Sequence, residues 1–231
     1  MKNDFMDIIS IKGVVIINKN IEAFIFDLDG VITDTAEFHF LAWKRLAEEE
    51  GISFTRQDNE KLRGVSRRKS LEILLNGKVV SEVKMQEMMN QKNNYYQDYV
   101  KTISSDDLLP GIKEILDYLK ENDYKLAVAS ASKNAKEVIE NLEITDSFEH
   151  ISDGFSVENT KPAPDLFLYT AEKLKVKTKN CVVIEDAESG VEAAIKAGMI
   201  TVGVGPKERV GKADFRYDQV IDINIEEILN N

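Results

Sequence analysis

Two carboxylates lie two residues apart near the start of the chain. Asp27 and Asp29 follow the apolar run Ile21 to Phe26. In an extended strand, residues i and i+2 point the same way, so both carboxylates would project into one small space, and Gly30 lets the backbone turn after them. Such a pair repels unless a cation neutralises it or one member carries a proton. The spacing predicts metal-assisted covalent chemistry, with Mg²⁺ bound, Asp27 attacking phosphorus and Asp29 moving a proton. A turn in which Asp caps backbone amides is the alternative for the motif alone.

A serine-containing segment follows the strand-like run Lys125 to Ala129 and enters a helical pattern. It begins Ser130-Ala131-Ser132-Lys133-Asn134. A hydroxyl, free backbone amides and the positive end of a helix dipole together suit a phosphate. Ser130 could equally be an ordinary N-cap.

Two further motifs carry charge. The first is Lys161-Pro162-Ala163-Pro164, in which two prolines fix Lys161 so that its ammonium could neutralise phosphoryl oxygens. The second is Glu185-Asp186, after the run Cys181 to Glu185. Carboxylates there could bind Mg²⁺, or could simply favour the start of the next helix. The occurrence of all four motifs in one chain favours the functional alternative for each of them. The motifs fall in order at the predicted carboxyl ends of core strands, where α/β sheets bind ligands.

The alternation of strands and helices predicts an α/β fold with a mostly parallel sheet. An all-helical cap at 37–103 interrupts a core formed by 21–36 and 104–231, with hinges near 35–38 and 100–110. Residues 1–20 form an extension of unassigned role, in which Ile8 to Ile17 could add a peripheral strand or hairpin. Strands are predicted at 21–26, 125–129, 181–185 and 200–204, and helices near 37–50, 55–63, 66–76, 81–103, 112–122, 133–142, 164–175 and 188–197.

Composition narrows the function classes. The 231 residues are 43% hydrophobic and carry a formal net charge of −11, which argues against nucleic-acid and anionic-membrane partners. No stretch of about 18 uncharged apolar residues predicts a membrane span, and no convincing signal peptide starts the chain. The single cysteine, Cys181, predicts a buried structural thiol and a reducing cytoplasm. We therefore expect a cytoplasmic, monomeric enzyme that acts on small molecules.

The four motifs together resemble the haloacid dehalogenase superfamily of phosphotransferases over about residues 21–231. The resemblance implies a Rossmann-like core and an aspartyl-phosphate intermediate on Asp27. It also implies that Asp29 is the general acid/base, with its main-chain oxygen on one Mg²⁺. Ser130 and Lys161 would bind phosphate. Asp186 would bind the metal, and Glu185 would bind it directly or support its ligands.

The stretches Thr33 to Trp43, Gly64-Val65-Ser66-Arg67 and Ala129 to Asn134 are similar to the β-phosphoglucomutase branch of this superfamily. That similarity implies that His39, at the hinge, links Asp29 to cap closure through Thr35, although a packed core histidine is the alternative. It also implies that Arg67 binds the phosphate that is not being transferred, although a solvated charge run over Arg63 to Lys69 is the alternative. The expected substrate and phosphate contacts are Gly64, Ser66, Arg67, Lys92, Ser130, Ala131, Ser132, Lys133, Asn134 and Lys161.

The expected reaction interconverts β-D-glucose 1-phosphate and glucose 6-phosphate, with β-glucose 1,6-bisphosphate as priming intermediate. The expected metal contacts are Asp27, Asp29, Glu185 and Asp186. Two other functions compete with this one. A Mg²⁺-dependent sugar-phosphate phosphatase would use the same aspartates and lose the phosphoryl group to water, whereas a non-catalytic sugar-phosphate-binding regulator would use only the fold.

Overall fold

The computed structural model describes residues 8–11, 14–17 and 20–231, with side chains from residue 20 onward. Strands β1 (Ile8–Ile11) and β2 (Val14–Ile17) pair antiparallel with each other and are separate from the main sheet. The rest of the N-terminal extension, residues 1–7, 12–13 and 18–19, lies outside the described residues. Within the described part, no helix combines the length and apolarity that a membrane crossing requires.

The main sheet has six parallel strands in the spatial order β5-β4-β3-β6-β7-β8. Its central strands are fully buried runs of apolar residues, as expected where helices cover both faces of a parallel sheet. This arrangement confirms the predicted α/β fold. The strands are β3 (Ala23–Phe26), β4 (Lys125–Ala129), β5 (His150–Ser152), β6 (Cys181–Glu185), β7 (Ile200–Val204) and β8 (Phe215–Tyr217).

The two edge strands, β5 and β8, were not predicted. Each has three residues, which is too few for a periodic pattern to stand out from a loop. The chain pairs them because β4 and β7 would otherwise present open edges. The central strands 125–129, 181–185 and 200–204 have the predicted bounds.

Ten α-helices pack around and beside the sheet in the described chain. Two predicted ends were wrong: the helix predicted at 55–63 stops at Glu60, and that predicted at 81–103 stops at Val100. The residues after each helix continue in turns, which keep some helical hydrogen bonding. The helices are α1 (Ala36–Glu49), α2 (Arg56–Glu60), α3 (Arg67–Leu75), α4 (Glu82–Val100), α5 (Ile112–Glu121), α6 (Ala135–Asn141), α7 (Asp165–Leu174), α8 (Glu188–Lys196), α9 (Lys207–Val210) and α10 (Ile225–Leu229).

Helices α1 to α4 lie between β3 and β4, and no strand is described among them. We call residues 37–103 the helical insertion. Trp43, Leu71 and Met88 belong to a hydrophobic cluster within it, whereas Tyr96 and Val100, at the end of α4, belong to the cluster that covers the sheet. Helix α4 therefore has one end packed in the insertion and the other against the sheet.

Candidate active site

Three buried carboxylates meet at the carboxyl ends of β3 and β6. Asp27 follows β3, Glu185 ends β6, and Asp186 comes next. One oxygen from each lies within 4.8 Å of the others. Glu185 Oε1 accepts hydrogen bonds from the amides of Asp186 at 3.2 Å and Ala187 at 3.0 Å, which fixes the carboxylate in place. A compact set of hard oxygen ligands of this kind fits a divalent cation.

Lys161 holds two of these carboxylates together. It lies in the loop after β5, is 2% exposed, and its Nζ pairs with Asp27 and, at 2.7 Å, with Glu185 Oε2. Burial alone would lower the pKa of Lys161, but the charges of Asp27 and Glu185 outweigh burial and raise it. The ammonium is therefore retained beside the Asp27 carboxylate.

Burial also shifts the carboxyl groups of this end. It raises the pKa of Glu185 to about 8, with the charge of Asp27 adding to the shift and Lys161 opposing it. It raises the pKa of Asp186 as well, against the attraction of Arg63. Both shifts favour the neutral carboxyl group, and the positive charge of a bound cation would oppose them.

The sequence analysis named Arg63 only as the first residue of a stretch that could be a solvated charge run, and the structure places its side chain against Asp186 instead. Its Nη2 lies 2.5 Å from Asp186 Oδ2, and its side chain is 19% exposed. The residue follows α2 in a turn of the helical insertion, so its contact joins the insertion to the sheet. No periodic signal could reveal this, because the partner lies 123 residues further along the chain.

Asp29 faces the helical insertion rather than the three-carboxylate cluster. Its Oδ2 is 3.7 Å from His39 Nε2, and its Oδ1 is buried without a hydrogen-bond partner. Burial raises the pKa of Asp29 to about 8, and the charges of Asp27 and Asp186 add to the shift. An aspartate in this environment can hold a proton at neutral pH, as a general acid must.

His39 connects Asp29 to α4. Its Nδ1 is 2.8 Å from Lys92 Nζ. Burial, with the positive charge of Lys92 beside it, holds the pKa of His39 well below its usual value. A neutral imidazole that accepts from Lys92 at Nδ1 carries its own proton at Nε2, on the side of Asp29.

Lys92 is nearly fully buried and lies between aromatic rings. Its Nζ is 5.1 Å from the centre of the Trp43 ring and 4.7 Å from that of Tyr96. Burial, together with the charge of Arg67, holds the pKa of Lys92 well below its usual value. Thr35, expected to relay between His39 and Asp29, is fully buried and meets His39 through the backbone, where its carbonyl accepts from the His39 amide at 3.0 Å.

The other end of the site is polar and less buried. Arg67 Nη2 donates to Asn93 Oδ1 at 2.6 Å, and Asn134 Nδ2 donates to the same oxygen at 2.9 Å. Ser66 is an N-cap, because its hydroxyl accepts from the Lys69 amide at 3.2 Å. The Ser130 and Ser132 hydroxyls accept from the amides of residues 132 and 134, at 3.0 and 3.2 Å, and so shape the loop between β4 and α6.

One cavity runs between the two ends. The expected residues that line it are Asp27, Asp29, His39, Gly64, Arg67, Lys92, Ser130, Ala131, Ser132, Lys133 and Asp186. Thr35, Ser66, Asn134, Lys161 and Glu185 are not part of that lining. The sequence analysis missed several lining residues, which are Ala36, Trp43, Asn59, Leu62, Arg63, Val65 and Ser70.

Gly64 brings the helical insertion close to the start of α8. Its φ is +69°, and a Cβ added there would lie 2.5 Å from Ser189 Oγ and 2.9 Å from the Ala187 Cβ. Only glycine combines this backbone angle with so short a distance. The described conformation therefore has the insertion packed against the segment that follows Glu185 and Asp186.

Comparison with known proteins agrees with this geometry. Residues 24–204 match the haloacid dehalogenase-like hydrolase family. The chain is 45% identical to a β-phosphoglucomutase of Bacillus subtilis over 89% of its own length and 92% of the relative's. It is 34% identical to a phosphorylated carbohydrates phosphatase of Thermotoga maritima, over 90% of the chain and 97% of that protein.

A solved structure of β-phosphoglucomutase from Clostridium difficile is also similar. It superposes with a TM-score of 0.87 at 44% identity, over 90% of this chain and 95% of that one. The family match, over residues 24–204, includes most of the strand before Asp27, the helical insertion and the strand that ends at Glu185. The chain belongs to the haloacid dehalogenase-like hydrolase family.

Proposed function

We propose that this chain is an enzyme that interconverts β-D-glucose 1-phosphate and glucose 6-phosphate. The B. subtilis relative that carries β-phosphoglucomutase in its name is more similar to the chain than the T. maritima phosphatase, at 45% against 34% identity over similar lengths. The alternative of a phosphatase therefore has weaker support, and that of a non-catalytic regulator conflicts with the complete set of acidic and basic groups around Asp27.

The proposed reaction begins with a phosphoryl group on Asp27. The 6-hydroxyl of β-glucose 1-phosphate attacks phosphorus, the bond to Asp27 breaks, and the hydroxyl proton passes to Asp29. The resulting β-glucose 1,6-bisphosphate turns around in the cavity. Asp27 then attacks the phosphorus on C1, and Asp29 returns the proton to the departing C1 oxygen, which releases glucose 6-phosphate.

The groups around Asp27 support its role as nucleophile. Mg²⁺ held by Asp27, Glu185, Asp186 and the main-chain oxygen of Asp29 would neutralise phosphoryl oxygens and keep Asp27 ionised. Lys161 would bind phosphoryl oxygens next to Asp27, since its Nζ already reaches both Asp27 and Glu185. The proposed phosphate contacts on the sheet side are Ser130, Ala131, Ser132, Lys133 and Asn134.

The observation that carries the choice of a mutase is the link from Asp29 to the helical insertion. Asp29 lies at 3.7 Å from His39, and His39 at 2.8 Å from Lys92 on α4. A mutase must protect its aspartyl phosphate from water until a second sugar phosphate arrives. In the proposed mechanism, withdrawal of α4 disturbs His39 and with it Asp29, so that proton transfer is available only when the insertion is closed.

We also propose the matching domain organisation. Residues 37–103 act as a cap over a core of 21–36 and 104–231, with Arg67, Gly64, Ser66 and Lys92 contributed by the cap. We further propose a cytoplasmic monomer that uses β-glucose 1,6-bisphosphate for priming.

The test supplies α- and β-glucose 1-phosphate separately, with Mg²⁺ and a trace of the bisphosphate, and follows glucose 6-phosphate and free phosphate. We expect glucose 6-phosphate from the β anomer with little free phosphate. Turnover of the α anomer alone would refute the proposed substrate. Steady release of phosphate without isomerisation would establish the phosphatase instead.

A further inference from the structure

Asn93 joins three parts of the site through one oxygen atom. Its Oδ1 accepts from Arg67 Nη2 at 2.6 Å and from Asn134 Nδ2 at 2.9 Å. Asn93 lies on α4, Arg67 begins α3, and Asn134 precedes α6 beside the sheet. The residue does not line the cavity itself, and of its two neighbours only Arg67 does, so Asn93 acts on the cavity through Arg67 and on the loop after β4 through Asn134.

The donors fix the orientation of all three side chains. Arginine has only donors, so the group of Asn93 that faces Arg67 must be its carbonyl oxygen. The same oxygen then requires Asn134 to present its NH₂ group. Arg67 keeps four of its N–H groups and Asn134 keeps one, and none of these is used by Asn93.

The charge of Arg67 remains available. The other arginines of the helical insertion lie against carboxylates: Arg45 against Glu49, Arg56 against Glu37, Arg63 against Asp186 and Arg68 against Glu82. Arg67 has no such ion pair among the described residues, and burial lowers its pKa. A neutral acceptor positions the guanidinium without cancelling its charge. A carboxylate at position 93 would position the guanidinium and would also cancel its charge.

We propose that Asn93 is a positioning residue that sets Arg67 and Asn134 as one pair for the phosphate that is not being transferred. The inference rests on the proposed function, since it concerns the second phosphate of the same substrate. Asn93 must be both an acceptor and uncharged for this role. A merely structural contact would need only the acceptor.

Two substitutions separate these requirements. Asn93→Leu has a similar size and removes the acceptor. Asn93→Asp keeps an acceptor for both donors and adds a negative charge beside Arg67. The matched controls are Asn94→Leu and Asn94→Asp, since Asn94 is the next residue of α4 and is exposed.

Binding is measured by calorimetry with glucose 1,6-bisphosphate, which offers one phosphate to each end of the cavity. The titration uses the Asp27→Asn chain, which cannot turn the ligand over. We expect Asn93→Leu to raise the Kd by about tenfold, the scale of one charge-assisted contact. Asn93→Asp should raise it at least as much, while both Asn94 variants stay within about twofold.

A second measurement tests whether the effect is restricted to the end of the cavity that binds the phosphate that is not being transferred. With Asp27 intact, acetyl phosphate carries a single phosphoryl group and needs no second anion site. We expect it to phosphorylate Asp27 in both Asn93 variants at rates within about twofold of the unsubstituted chain, as followed by intact mass.

The outcomes distinguish this inference from the proposed function. Tight bisphosphate binding by Asn93→Asp, equal to that of the Asp27→Asn parent, would reduce Asn93 to a structural contact and overturn the inference. Failure of the parent to bind the bisphosphate would also overturn it. Absence of isomerisation by the unsubstituted chain, with the Asn93 effects on binding intact, would overturn only the proposed function.

Discussion

Among the residues whose side chains are described, two lysines are almost completely buried, Lys161 beside the sheet and Lys92 in the helical insertion, and their surroundings shift their pKa values in opposite directions. Each is 2% exposed. Lys161 contacts two carboxylates, and these overcome burial and raise its pKa. Lys92 contacts a histidine and two aromatic rings, and burial holds its pKa well below its usual value.

This difference shows that the two ends of the site are stabilised in different ways. At the end that contains Asp27, buried charges are matched by opposite charges, and the rigid strand ends β3 and β6 hold them in place. At the insertion end, the groups are neutral or lack a countercharge, and helices position them. In the proposed mechanism, phosphoryl transfer uses the groups at the sheet end, and closure uses the insertion.

The largest expected effect is loss of the nucleophile. Asp27→Asn removes the attacking carboxylate but keeps its size, so phosphoryl transfer should fall by about 10⁴-fold or more and no phosphorylated chain should form. Turnover assays and intact mass check this, with Asp106→Asn at an exposed position as control. Retained transfer would refute the covalent mechanism.

Substitution of the two lysines by methionine tests the comparison directly. Lys161→Met leaves Asp27 and Glu185 buried without their cation and should lower the free energy of unfolding by about 3–5 kcal/mol. Lys92→Met replaces an ammonium that burial already disfavours, so it should cost about 1 kcal/mol or less. Urea unfolding measures both.

Exposed lysines provide the controls for that pair. Lys179→Met beside the sheet and Lys78→Met in the insertion should each change the unfolding free energy by about 0.5 kcal/mol or less. Equal destabilisation by Lys161→Met and Lys92→Met would contradict the distinction between a sheet end with matched charges and an insertion end without countercharges.

Closure of the insertion is tested at Gly64. Gly64→Ala places a Cβ against Ser189 and Ala187 and strains a backbone with φ of +69°. We expect kcat/KM to fall by about tenfold, while phosphorylation of Asp27 by acetyl phosphate changes less. Gly77→Ala is the matched control, because its φ is +85° but its Cβ would meet nothing within 4 Å. An equal loss in Gly77→Ala would assign the effect to backbone strain alone.

The two lysines should also differ in how stability depends on pH. The folded chain disfavours protonated Lys92, whereas the unfolded chain binds that proton below pH 10.5. Stability from this group therefore rises with pH from the depressed pKa up to 10.5, by at most about 1.4 kcal/mol per pH unit. Unfolding of the original chain and of Lys92→Met, compared between pH 7 and 9.5, measures it. For Lys161 the raised pKa keeps its own contribution full below 10.5, so no rise of stability with pH is expected from this group in that window.

Sequence predicted the sheet end of the site better than the insertion end. Asp27, Lys161, Glu185 and Asp186 each follow or end a strand, and parallel strands bring their carboxyl ends to one edge, so order along the chain implies proximity. Helices carry no such rule. The contacts of Asn93 with Arg67 and Asn134, and of Arg63 with Asp186, depend on how α3, α4 and the turn after α2 pack, and no local pattern specifies that packing.

Helix α4 carries Lys92 and Asn93 next to each other, and each serves a different end of the cavity. Successive residues of an α-helix are separated by about 100° of rotation and 1.5 Å of rise, so one helix can reach both ends only in one register. In the proposed mechanism, proton transfer at Asp29 and recognition of the distant phosphate therefore both depend on the position of α4. During evolution, a substitution that shifts α4 to admit a different sugar would also displace His39, so a change of substrate would require compensating changes at the hinge.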